Sequence, residues 1–417
     1  MTTSSTLRFA AQSDVMTSLL SVVDLVRTGR ATTRPEIGRA TGLRRGVVTQ
    51  RVEQAIELGY LEDGELAPST GGRLPRSLRF RADRGRLVVC ALGARHIRVG
   101  LASLDGTIEE QAHRAWDITH GPAATLEETL AMVDAMLAQG GPDRPVWGVG
   151  VGVPGPVDFA TGRPVAPPIM PGWNAFDVRG HVEQHLGAPA WVDNDVNLLA
   201  LNERHRRSAE PVDLAYCKIG TGIGVGLLSQ GRLHRGANGA AGDIGHVRVA
   251  GSTEPCRCGR TGCLEAEAAG WALVREARRA LESGASSALE KVGGDALSPK
   301  SVADAAMDGD ALAIELVQRS AHLVGDALAT LVNMFNPAVI VLGGAVSTAG
   351  EVYLAEVRQR VYELSLPLAT RDLVITRSVG DEKEPLRGGA ELAREQLFEV
   401  SFPRWFADGR PSIAAVR

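Results

Sequence analysis

Three of the chain's five cysteines fall within eight residues, Cys256-Arg257-Cys258-Gly259-Arg260-Thr261-Gly262-Cys263, and nine residues separate His246 from Cys256. Thiols clustered this densely in a cytosolic chain point to metal rather than to disulfides, and three thiolates with one imidazole make a common closed tetrahedral zinc set. A closed set leaves no open position for water. The zinc is therefore read as structural, a clip on its loop rather than a Lewis acid. Cys90 and Cys217 sit in apolar runs and read as inert core residues.

A second chemistry-bearing segment is Trp191-Val192-Asp193-Asn194-Asp195-Val196-Asn197. It begins as an apolar strand and breaks into acids and amides at its end, which is where open α/β sheets place ligands. Asp195 could accept a proton or a hydrogen bond from a substrate hydroxyl, and Asn194 offers both donor and acceptor. An Asx turn capping the next helix is the other role open to this pair. Asp243, His246 and Glu265 add polar groups around the metal loop. Carboxylates and amides crowded together suit a polyol, whose hydroxyls each need a partner.

These groups need strands and tight turns to hold them. Gly220-Thr221-Gly222-Ile223-Gly224 packs three glycines into a hairpin turn whose bare amides could approach phosphate oxygens. Asn336-Pro337 opens a buried parallel strand that runs into Gly343-Gly344. The segment from Leu87, LVVCALGARHIRVGLASLDGTI, shares its strand-turn-strand grammar with LAYCKIGTGIGVGLLSQGRL from Leu214. At that 127-residue offset Leu87 meets Leu214, Cys90 meets Cys217 and Gly93 meets Gly220. An internally duplicated α/β architecture is implied.

The chain has 417 residues, enough for two or three domains at roughly 150 residues each. Its composition, 44% hydrophobic and 23% charged, is that of an ordinary globular protein, and 4% aromatics leave the cores to aliphatic side chains. No run approaches a membrane span and the N-terminus lacks a signal-peptide pattern, so a cytosolic location without membrane contact is expected. The net charge of −4 conceals an asymmetry, +5 over residues 1–86 and −9 over the rest. A basic front on an acidic body suggests nucleic-acid contact by the front.

Within that front, apolar residues from Leu19 to Val26 recur at near-helical spacing and stop at Gly29. Thr33-Arg34-Pro35-Glu36 reads as a capping box opening a short second helix. Thr41-Gly42-Leu43 supplies the turn of a helix-turn-helix, and Val47 to Leu58 the third helix. Arg44, Arg45, Thr49, Gln50 and Arg51 are assigned to its outer face, where Arg and Gln can read base edges and Thr and further Arg can hold phosphates. Two short strands then flank a Gly/Pro loop, Ser69 to Arg76, a wing that would carry Arg73 and Arg76 toward a minor groove.

Taken together, GTGIG, RGANGAAGDIGH, CRCGRTGCLE, VDNDVN and NPAVIVLGG resemble the ROK family of repressors, uncharacterised reading frames and sugar kinases. The resemblance spans about residues 87–400, and residues 1–82 are similar to the winged helix-turn-helix of ROK repressors. It implies a two-lobed, actin-like ATPase fold with a sugar in the interlobe cleft. Lobe I would cover residues 83–197 and be completed by a helix near 386–400. Lobe II would cover 198–385, leaving 401–417 as a tail.

By motif, Asn194 and Asp195 would hold sugar hydroxyls, with Asp195 at the catalytic-base position. Asp243, His246 and Glu265 would complete the sugar site, Asn174 would add a contact, and His246 would share zinc with Cys256, Cys258 and Cys263. Two departures stand out. Family kinases carry an Asp-x-Gly-Gly-Thr-type first phosphate loop, whereas this chain reads Ala91-Leu92-Gly93-Ala94-Arg95, and Asp243 replaces a Glu. Without that loop, Mg-ATP binding and phosphoryl transfer are not expected. The sequence is thus read as a sugar-responsive regulator, a repressor acting as a homodimer or homotetramer on palindromic operator DNA. An active sugar kinase with an attached DNA-binding domain is the alternative.

Overall fold

All seven residues of the strand Arg86–Leu92 are buried, as expected of a strand covered on both faces. The computed structural model describes residues 3–66, 76–139, 144–207, 212–293 and 296–417. Two five-stranded sheets organise most of it. In the first, the strands run Ile108–Ala115, His96–Ser103, Arg86–Leu92, Val146–Val153 and Ala190–Asn194 across the sheet. In the second, the order is Arg232–Leu233, Ile223–Ser229, Leu214–Ile219, Val339–Gly343 and Val374–Arg377. Each is an antiparallel three-strand meander extended by two parallel strands. The internal duplication read from the 127-residue offset is therefore present as matched topology.

Helix Glu384–Arg394 packs on the first sheet and helix Asp195–Arg207 on the second, and the two helices pack on each other between the sheets. Gly388 and Gly389 allow this approach: a Cβ on the first would lie 1.9 Å from the Leu198 carbonyl oxygen and one on the second 2.3 Å from Val89 Cγ1. The chain thus returns to the first sheet after completing the second.

At the N-terminal end, helices Thr3–Arg27, Arg34–Thr41 and Arg45–Glu57 precede the antiparallel strands Leu61–Leu66 and Arg76–Phe80. The capping box is formed. Thr33 Oγ1 accepts from the Glu36 amide, and Glu36 Oε2 accepts from the Thr33 amide at 3.0 Å. Gly42, at φ +70°, ends the second helix in a conformation that favours glycine. Val22, Val23, Val26, Ile37, Val48, Val52 and Ala55 form the buried centre of the helices.

Aromatic residues, scarce in the chain, concentrate where the C-terminal segment meets this front. A π-helical turn, Glu395–Ser401, leads into a short helix Phe402–Trp405. Phe402, Trp405 and Phe406 are buried against Tyr60, Trp147 and Phe398. Arg84, in the connection between front and first sheet, lies 4.7 Å from the Tyr60 ring centroid and 5.7 Å from that of Trp147. Residues 401–417 thereby tie the first three helices to the first sheet.

Candidate functional site

The carboxyl ends of strands from both sheets face one cleft of about 480 Å³, a size suited to a small ligand. Asn194, Asp195, Asp243, His246 and Glu265 all line it, so five of the six residues expected to bind a sugar come together. The sixth does not. Asn174 is exposed, and its Oδ1 accepts from the Ala166 amide at 2.8 Å, which commits it to its own loop. Its sequence position beside buried Trp173 carried no information about side-chain direction.

Asn194 and Asp195 divide two roles. Asn194 Oδ1 accepts from the Val196 amide at 2.9 Å, and its Nδ2 donates to the Gly155 carbonyl at 2.8 Å. Those bonds cap the helix and pin the loop after Val153. Asp195, on the first helical turn, instead projects to Lys218 Nζ, which donates to its Oδ2. Lys218 comes from the second sheet, so this ion pair spans the cleft. Deeper in, Asp193 is almost wholly buried and accepts from Arg235 Nε at 2.8 Å and from Asn197 Nδ2 at 2.7 Å.

On the opposite wall, Glu265 is buried and its Oε2 accepts from the Ile223 amide at 3.1 Å. A Cβ on Gly222 would lie 2.4 Å from that oxygen, so the GTGIG turn needs glycine there to admit Glu265. Burial raises the Glu265 carboxyl above its ordinary range, against the Ile223 amide and His246. Burial also raises Asp243, with His246 opposing.

His246 belongs to a second cluster as well. Ligand atoms of His246, Cys256, Cys258 and Cys263 all lie within 4.8 Å of one another, and the three thiols are free. His246 Nδ1 and Cys256 Sγ are 3.8 Å apart, and Cys258 Sγ and Cys263 Sγ 3.7 Å. A tetrahedron with Zn–S bonds of about 2.3 Å has edges of about 3.8 Å, so the four donors fit a metal ion. Cys90 and Cys217 lie elsewhere, fully buried, each thiol pushed up to about 12 by burial.

The first-sheet turn is built differently from its counterpart. The Gly93 amide donates to the His96 carbonyl at 2.8 Å, closing a tight hairpin, and the His96 ring packs where a Gly93 Cβ would be. Arg95 points outward to Asp117, at 2.6 Å. Burial, then Arg98, Lys218 and His113, hold the His96 imidazole down to about 4.

On the third helix, Arg44, Arg45 and Gln50 are exposed and Thr49 is partly exposed. Arg51 corrects the sequence reading: it is 7% exposed, donating from Nε to Ser18 Oγ and from Nη1 to Gln54 Oε1, both at 2.9 Å. It joins the third helix to the first. Arg76 is exposed at the end of its strand, while Arg73 lies outside the described residues.

Lys218, Arg98, His96 and Asp193 were missed by sequence reasoning. One signal was available for Lys218: at the duplication offset it stands opposite Ala91, a lone charge inside the apolar strand Leu-Ala-Tyr-Cys-Lys-Ile.

The ROK family profile matches residues 88–396. A xylose repressor from Caldicellulosiruptor bescii is 27% identical over 392 residues, 93% of this chain and 97% of the relative. A glucokinase from Halalkalibacterium halodurans is 35% identical over 253 residues, 60% of this chain and 76% of that one. Among solved structures, a ROK family transcriptional regulator, a homologue of the Escherichia coli MLC protein, aligns with a TM-score of 0.77 at 23% identity. That alignment covers 92% of this chain and 97% of the regulator, a match in fold.

Proposed function

The chain belongs to the ROK family, with its α/β actin-like sugar-kinase fold, and from that premise we propose that it is a sugar-responsive DNA-binding regulator, a repressor. The observation that carries this reading is the third helix. Its inner face packs through Val48, Arg51 and Val52, while Arg44, Arg45, Thr49 and Gln50 stand outward with no apolar partner to cover. In this reading residues 1–82 form a winged helix-turn-helix, with Arg76 and Arg73 on the wing. Residues 83–197, completed by the helix near 386–400, and residues 198–385 form the two lobes. The full-length similarity to a xylose repressor supports the same reading.

Asn194, Asp195, Asp243, His246 and Glu265 would hold the sugar, and His246, Cys256, Cys258 and Cys263 a structural zinc ion. Zinc supplies loop rigidity here, not chemistry. It would fix His246 and, through the following helix Leu264–Ala268, the position of Glu265. A sugar binding one interlobe angle better than another shifts the population of that angle in proportion to its differential affinity. The aromatic contacts of Tyr60 and Phe406 would pass that angle to the recognition helices of a homodimer or homotetramer. A palindromic operator with half-sites about one helical turn apart would be read by such a pair.

The competing reading is an active sugar kinase, favoured by Asp195 in the cleft and by the glucokinase similarity. Ala91 and Arg95 in the first turn, and the Lys218 ammonium on Asp195, weigh against it. Retardation of DNA from upstream of the chain's own gene tests the regulator: specific binding that survives competitor DNA is expected. Sequence-indifferent binding, together with sugar-dependent ADP release from Mg-ATP, would establish the kinase instead.

A further inference from the structure

The geometry points to a phosphorylated sugar, rather than a neutral one, as the ligand of this cleft, with its phosphoryl group on Lys218 and Arg98. The inference rests on the sugar-binding reading above and names the chemical class of the ligand.

The cleft is chemically two-sided. Asp243 and Glu265 line it beside the metal loop, while Arg98 enters it from the first sheet and Lys218 from the second. Arg98 is directly opposite Ala91 in the antiparallel register, so both side chains leave the sheet on the same face. Ala91 is the position at which the family's first phosphate loop carries an acidic residue. Lys218 occupies the equivalent position of the second sheet, 127 residues on. The place where a kinase would assemble carboxylate, magnesium and phosphate therefore carries two cations and a methyl group.

A phosphomonoester dianion seated there would need no metal, because its charge is met by the side chains themselves. Arg98 is half-buried and has no hydrogen-bond or ion-pair partner among the described residues. Among the described residues Lys218 is paired with Asp195 alone. An arriving phosphoryl group would take over Lys218 and release the Asp195 carboxylate, which would then accept a sugar hydroxyl. One ion pair is exchanged for two sets of contacts, and neither half of the ligand alone can make both. A neutral sugar would have to compete with Lys218 for Asp195, and free phosphate would leave Asp243 and Glu265 without a ligand group.

Calorimetric titration of the full-length protein without DNA tests this. The probes are a panel of aldose phosphates, the corresponding neutral sugars, the corresponding uronates and inorganic phosphate. At least one sugar phosphate is expected to bind about tenfold or more tighter than its neutral parent and its uronate. In Lys218→Met and in Arg98→Gln that ratio is expected to fall to within about threefold. A neutral sugar or a uronate binding as tightly as any phosphate ester would overturn the inference, as would an undiminished ratio in both variants. Circular dichroism spectra and melting curves of the variants separate loss of the subsite from loss of the fold. Because no DNA is present, a preserved phosphate preference with no effect on operator affinity would remove the regulator reading and leave this one standing.

Discussion

The ring of Tyr60 stacks on that of Phe406 at 4.6 Å, and its hydroxyl donates to the Phe406 carbonyl at 2.8 Å. These residues are 346 positions apart in the chain. Tyr60 follows the third helix of the front, and Phe406 follows the helix that returns from the second sheet to the first. The contact therefore joins the end of the third helix to the segment that follows the helix packed on the first sheet.

If that contact transmits the signal, Phe406→Ala will separate binding from response. Operator affinity without ligand is expected to stay within about threefold of the parent, while the ligand-induced change in affinity shrinks by at least about fivefold. Titration of labelled operator with and without effector checks it. Trp405→Ala removes a fully buried indole and should cost about 3–5 kcal/mol of stability, read by denaturant unfolding.

Arg51 and Arg45 are expected to behave in opposite ways. Arg51→Ala leaves Ser18 and Gln54 without a buried partner and should cost roughly 1–3 kcal/mol of stability, with the salt dependence of DNA binding unchanged. Arg45→Ala should leave stability intact and reduce the slope of log K against log salt by about one. The reverse pattern would restore Arg51 to the outer face.

How much of this was legible beforehand depended on whether a feature was local. The Thr33–Glu36 capping box, the His/Cys cluster and the paired glycine turns are short-range patterns, and each appears where the sequence indicated. Arg51 was misread although its spacing held the answer: it lies three residues after Val48 and four before Ala55, on the helix's own buried stripe. Its charge outweighed its position in the reading. Lys218 with Asp195, and Tyr60 with Phe406, are contacts between distant segments that no periodicity reports. Asn174 shows the converse, a motif neighbour whose side-chain oxygen is taken by the Ala166 amide of its own loop.

Metal removal supplies another test. Purified protein is expected to carry about one zinc ion per chain, and Cys258→Ser or prolonged chelation should release it and lower the melting temperature by several degrees. Elemental analysis alongside a thermal scan reads both. Full metal content in the variant would remove Cys258 from the ligand set.

Acid sensitivity should trace in part to His96. Its imidazole is held down to about 4 in the folded chain against an ordinary 6.5. The unfolded chain takes up that proton first. The His96 contribution is thus complete above pH 6.5 and lost as the pH falls toward 4, a change of roughly 2–3 kcal/mol. His96→Phe should flatten this part of the stability–pH curve, measured by unfolding at several pH values. An unchanged slope would show that the ring is already free to protonate.

The central claim, that occupancy of the cleft controls DNA binding, is tested most directly by one titration. Operator affinity of the full-length protein is measured by fluorescence anisotropy at fixed salt, across sugars and their phosphate esters. The account predicts that one compound shifts affinity by about tenfold or more, and that Asp195→Asn abolishes the shift while DNA binding persists. Affinity indifferent to every compound that calorimetry shows to bind would contradict it.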